Sequence, residues 1–109
     1  PYVIEPAISR KIGTTNFAEL SLDSKDWKSS KWAKEKGLFN NISESIYQMD
    51  IEIEKKLASF ASFPKEASKR LRQLHWKGTD HWDELLPKNA KITAELALSD
   101  FSQSIIKSL

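Results

Sequence analysis

No stretch of this chain alternates apolar and polar residues for long enough to make a half-buried strand, while helix punctuation recurs from end to end. Each of its 3 glycines stands alone, behind a run with apolar residues at steps of three and four. That pattern predicts an all-α chain of six or seven short helices, with room for one short strand near 38–42. Pro6 suits a first helical position, with Glu5 as the helix-start charge, and Gly13 is placed to end that turn after Ile12. Thr15 or Asn16 is placed to cap FAELSL, where Phe17, Leu20 and Leu22 share a face. Ser24 is expected to cap the next helix, with Asp26 and Trp27 in its first turn and Gly37 at its left-handed end. Leu38, Phe39 and Ile42 then form an extended link.

The longest helix is expected from Ile46 to Ser62, burying a stripe of Met49, Ile53, Leu57, Phe60 and Ala61, with Glu52 and Lys56 as an ion pair. Pro64 starts another helix with Ala67, Leu71 and Leu74 inward, and Gly78 closes it. Pro87 is expected to interrupt the segment 80–98 and begin a new helix, and Ser99 to cap a last one containing Phe101, Ile105 and Leu109. Trp27 and Trp32, five apart, would stand about 140° apart around one helix. One small core does not cover both, so the chain is expected to pack against something else: a larger protein or a second copy.

Composition narrows the function classes. Seventeen basic and 15 acidic residues are interleaved to a net charge of +2, which builds no global field for nucleic acid. Cysteine is absent, so disulfide and thiol chemistry are out; the start, PYVIEPAISRK, has no charged segment before its apolar stretch, and no apolar run approaches a membrane span. A cytoplasmic protein, with neither nucleic acid nor membrane as partner, is the expectation. His75 and His81 are six apart across Gly78, a poor spacing for metal ligands even with Asp80 and Asp83 nearby, so no metal is expected. Solitary glycines build no phosphate loop, and no nucleophile elbow is present. The stretch 64–77, PKEASKRLRQLHWK, puts Lys65, Lys69, Arg72 and Trp76 on one broad side. It reads first as a solvated face, and alternatively as the basic surface of a stand-alone helical binding module.

Four blocks in order carry a resemblance. PYVIEPAISRKIGTTNFAELSLDSKDW looks like a segment in which a short helix ends in "R.vG" and the next runs "A.el.L.g", matched at Arg10, Gly13, Ala18, Glu19 and Leu22. WAKEKGLFN looks like an "A…A…GLVN" corner, in register at Ala33, Gly37, Leu38 and Asn40, with Leu38 and Phe39 turned inward and Lys28, Lys31, Lys34 and Lys36 facing solvent. FPKEASKRLRQL resembles "sP.a....K..l" at Pro64, Ala67 and Leu71; LSDFSQSII resembles "s.D..egi.aF" at Asp100, with Gln103-Ser104 in place of Glu-Gly. Together they resemble the crotonase superfamily, the enoyl-CoA hydratases and isomerases, in its C-terminal helical part. The family's glycine-rich "pg.GG" run is absent, which resembles the isomerase-type branches.

The resemblance implies that 1–42 corresponds to the end of the core-like segment and 43–109 to the helical segment that builds the trimer. It implies a supporting role in acyl-CoA binding and homo-oligomer assembly, with the oxyanion loop and catalytic carboxylates outside this chain, hence no catalytic residue within it. The thioester is a substrate, and no cofactor is implied. The final helix would lie near the CoA adenine and phosphates, pointing to Phe101 for stacking, Lys107 for a phosphate and Ile92 as a weaker contact.

Overall fold

A computed structural model describes all 109 residues. Six helices and no strand make it up: α1 (Glu5–Leu22), α2 (Ser30–Glu35), α3 (Ile46–Ala61), α4 (Lys65–His75), α5 (Trp82–Ala97) and α6 (Asp100–Ser108). The all-α expectation holds. The short strand near 38–42 does not form. The amides of Leu38 and Phe39 are both spent on the carbonyl of Ala33, and no neighbouring strand is there to pair with.

Local chemistry explains most boundaries. Glu5 and Pro6 open α1, and Gly13 breaks it in the middle with φ 78° and ψ 163°, so its two halves run in different directions. The cap expected from Thr15 or Asn16 is replaced by a bond across the break, from Asn16 Nδ2 to the Ile12 carbonyl at 2.7 Å. Ser29, not Ser24, caps α2, its Oγ accepting from the Trp32 amide at 3.1 Å. The helix starts late because Lys28 is drawn back onto Glu19, Asp23 and Asp26 at 3.3, 3.4 and 2.6 Å. Lys28 is thus largely covered instead of facing solvent, and Trp27, left on that loop and off any helix, is 94% exposed. The three carboxylates, Asp26 first, raise its pKa above the ordinary lysine value, so the clamp stays charged across the neutral range.

α2 ends in a Schellman motif. Lys36 is the C-cap; the Leu38 amide donates to the Ala33 carbonyl at 2.8 Å and the Gly37 amide to the Lys34 carbonyl at 3.1 Å. Gly37, at φ 84°, supplies the left-handed residue this needs. Ser45 and Ser99 cap α3 and α6 through their hydroxyls, and Pro64 immediately precedes α4. Pro87 does not begin a helix but lies inside α5. It forfeits one bond, to the Asp83 carbonyl in the first turn, where that carbonyl can tilt out to water.

Packing is sparse. Only Ile12, Ala33 and Asn89 are buried, and α5 and α6 are the one helix pair in more than marginal contact. The expected buried stripe on α3 is on the surface: Met49, Ile53, Leu57 and Phe60 are all exposed. So are Leu71 and Leu74 on α4. The accessible area is 9369 Å², against about 6,200 Å² for a compact monomer of this mass. The radius of gyration is 18.0 Å, against about 13 Å for a compact domain of this length. The helices form an open array, 52 × 37 × 24 Å, whose apolar faces lack a cover of their own.

Gly37→Ala forces a Cβ into the left-handed region without meeting any atom closer than the Lys11 carbonyl at 3.7 Å. The cost is therefore conformational, about 1–2 kcal/mol, and it should appear as lost amide protection at Gly37–Phe39 in hydrogen exchange while α5 and α6 are unchanged.

Candidate functional site

The first half of α1 gathers the ends of other elements. Lys11 Nζ donates to the Leu38 carbonyl, just past α2, at 2.9 Å. Arg10 Nη2 donates to the His75 and Lys77 carbonyls, at and just past the end of α4, at 2.7 and 2.8 Å. Just ahead of α1, the Tyr2 carbonyl accepts from Asn89 Nδ2 of α5 at 3.0 Å. Two adjacent cations thus each hold the chain where it leaves a helix: Lys11 one carbonyl two residues past the C-cap of α2, Arg10 the last carbonyl of α4 and one in the turn after it. The Ser9 hydroxyl, one residue earlier, is covered and has no partner within the chain.

Below the α2 corner lie two adjoining open grooves. One, about 530 Å³, is walled by Lys11, Leu38, Phe39, Ile42 and Met49 with Asn40 and Asn41 at its rim. The other, about 250 Å³, continues along α3 past Met49, Ile53 and Leu57. Glu52 is the one carboxylate on either. The expected Glu52–Lys56 ion pair is absent; Ser43 Oγ donates to Glu52 Oε2 at 2.8 Å and Gln48 Nε2 to Oε1 at 3.3 Å. The hydroxyl bond comes first in holding the Glu52 carboxyl below its ordinary value, with Gln48 and Lys55 adding to it. An ionised carboxylate whose oxygens are both engaged has no proton to give and no second carboxylate to work with. Floor and rim suit a contact surface, apolar with an amide edge, more than a reaction centre.

Phe101, Lys107 and Ile92 line neither groove. Phe101 is 76% exposed, Lys107 stands in the last turn of α6, and Ile92 lies at the surface of α5. Packing of α5 on α6 brings their helices together, but Phe101 and Lys107 are about 120° apart around α6. His75 contributes only its carbonyl, and no group of three or more His, Cys, Asp or Glu side chains is placed to hold a metal ion. No helix is long and apolar enough to cross a membrane. The tethers from Arg10, Lys11 and Asn89 were not foreseen. Arg10 carries part of the "R.vG" match, yet nothing in the spacing tells which carbonyl a flexible cation will reach. No known protein family, curated protein or solved structure matches the chain.

Because the Glu52 pKa is depressed in the folded chain, its contribution to stability is present above the ordinary carboxyl value of 4.5 and is lost as pH falls through the lower folded value. Ser43→Ala removes the leading cause. The Glu52 carboxyl, followed by NMR titration, should move back toward 4.5, and the acid limb of the stability curve should become shallower.

Proposed function

We propose that this chain is the C-terminal helical part of an enoyl-CoA hydratase/isomerase-like protein, where it covers an acyl-CoA-binding body and helps build a homo-oligomer. It supplies neither the oxyanion donors nor the carboxylates that move protons. The observation that carries this reading is the open array: about 3,000 Å² more accessible surface than a compact monomer would have. A specific protein–protein interface removes about 1,200–2,000 Å², so the excess suits a segment made to lie on a large body and on neighbouring subunits. The order of the four sequence blocks, with a Schellman corner at Gly37 inside one of them, is the second support. Phe101 and Lys107, exposed on α6, remain free to meet an adenine and a phosphate.

A second reading has its own observation. Lys65, Lys69, Arg72 and Trp76 fall within about 60° of one another around α4, and none of the three cations is ion-paired. A stand-alone module would use that arc on an anionic partner.

The polypeptide encoded by the whole reading frame should turn over short-chain or branched enoyl-CoA thioesters, and residues 1–109 alone should turn over none. Activity of the isolated chain, abolished by a substitution within it, would sink the reading. So would a whole-frame product with no such activity whose binding of an anionic polymer is lost with Arg72→Glu. In the active polypeptide, Lys107→Ala should raise KM for the acyl-CoA about threefold at low salt, as expected for one exposed phosphate contact. An unchanged KM with unchanged salt dependence removes Lys107 from the site.

Light scattering on the isolated chain should find dimers or larger species as concentration rises. Trp27, Phe63 and Trp76 are all more than half exposed, and removing each such side chain from water is worth roughly 1.5–3 kcal/mol.

A further inference from the structure

We propose that Arg10 is a latch that fixes the angle of the α4–α5 arm, and that the 76–81 turn is the pivot it locks. The turn is built to bend in one place. Gly78 takes φ 81°, and a Cβ built there meets nothing within 4 Å, so the pivot is not wedged by packing. Inside the turn, the Trp76 amide bonds back to Arg72 and the Lys77 amide to Leu74, while Thr79 Oγ1 donates to the Trp76 carbonyl at 2.6 Å. The carbonyls of His75 and Lys77 are left for Arg10, whose Nη2 carries two hydrogens and donates one to each. Across the turn Trp76 and Trp82 meet edge to face, ring centroids 6.0 Å apart.

Little else holds α4 where it is. No α4 residue is buried, its apolar Leu71 and Leu74 are exposed, and Arg70 pairs only with Glu66 of the same helix. The arm's other bond to the start of the chain is Asn89 to Tyr2, on the far side of the pivot. The angle between α4 and α5 is therefore held on one side by two bonds from a single guanidinium and on the other by a single amide. Release of Arg10 frees α4 to swing about Gly78 while α5 and α6 stay in place. Under the proposed function, this sets how α3 and α4 meet the body they cover; the latch itself is a property of the chain and stands whether or not that reading does.

The test uses the whole chain, with hydrogen exchange read segment by segment and small-angle X-ray scattering for overall size. Arg10→Met removes every donor, and Arg10→Gln keeps a short neutral one. In both, amides at 76–82 should exchange about three- to tenfold faster, as for loss of hydrogen bonds at a partly solvated site. The radius of gyration should rise above 18.0 Å in a dilute, concentration-extrapolated series. The edge-to-face tryptophan signal in near-ultraviolet circular dichroism should weaken, and amides at 37–39 should not change. Lys11→Met should do the reverse, loosening 37–39 and leaving 76–82 alone. Arg10→Met and Gly78→Ala act on one turn, so their effects on 76–82 should be non-additive. Unchanged exchange at 76–82 in both Arg10 variants would overturn the latch. So would a loosening spread evenly over all six helices, which would make Arg10 a general structural residue.

Discussion

Two adjacent cations on one turn of α1 hold the array together. A helix ends with carbonyls that its own amides cannot reach. When apolar packing is sparse, those carbonyls, and the free ones in the turn that follows, are among the few strong handles by which one helix can take hold of another. Lys11 takes the corner after α2 and Arg10 the turn after α4, so two segments far apart in sequence are fixed to the same few residues. Ile12, next in line, is one of the two buried apolar side chains. Direction, hydrogen bonding and the little core there is all meet at residues 10–12, just ahead of the break at Gly13.

Such a hub does for geometry what a core does for stability, and the two are not interchangeable. Hydrogen bonds to exposed carbonyls fix angles but contribute modestly to free energy, because water competes for the same groups. Burial of side chains gives most of the driving force for folding, and here it is nearly absent within the chain. The stripe of Met49, Ile53, Leu57 and Phe60, the Leu71/Leu74 face and the loop tryptophan Trp27 are all directed outward. The chain is an arrangement of helices, α2, α3 and α6 capped by serine hydroxyls, whose apolar faces have little cover of their own. That is why the proposed role is one of covering and assembly, with the chemistry placed elsewhere.

Much of the helical layout was legible because it is set by nearest neighbours in sequence. Ser99 caps where a hydroxyl residue before an apolar run should, α3 spans nearly the stretch its period marks out, and Gly37 and Gly78 take the left-handed conformation that ends a helix. Where the sequence misled, a competing contact had won. Ser24 lost its helix because Lys28 met three carboxylates, and Pro87 was tolerated inside α5 because it sits close to a helix start. Glu52 left Lys56 for a hydroxyl nine residues back. The candidate site was less legible. Phe101, Lys107 and Ile92 came from resemblance, and periodicity fixes only which side of a helix they occupy. The tethers of Arg10 and Asn89 span 65 and 87 residues, a range at which no local rule operates.

The burial of α3 was misjudged for a different reason, one that bears on function. An amphipathic period states that a face is to be covered; it does not state by what. Within this chain no other helix packs on the α3 stripe, yet Ser43 and Gln48 hold Glu52 at its side, and the two open grooves run into it from the Gly37 corner. The groove and the stripe form one continuous apolar path, from Phe39 and Ile42 through Met49 to Leu57, edged by asparagines and an ionised glutamate. A partner lying along that path would bury the stripe that the sequence had already marked as interior. Under the proposed function the periodicity and the exposure agree: the stripe that is exposed in this chain is the face the helix would turn toward the body it covers.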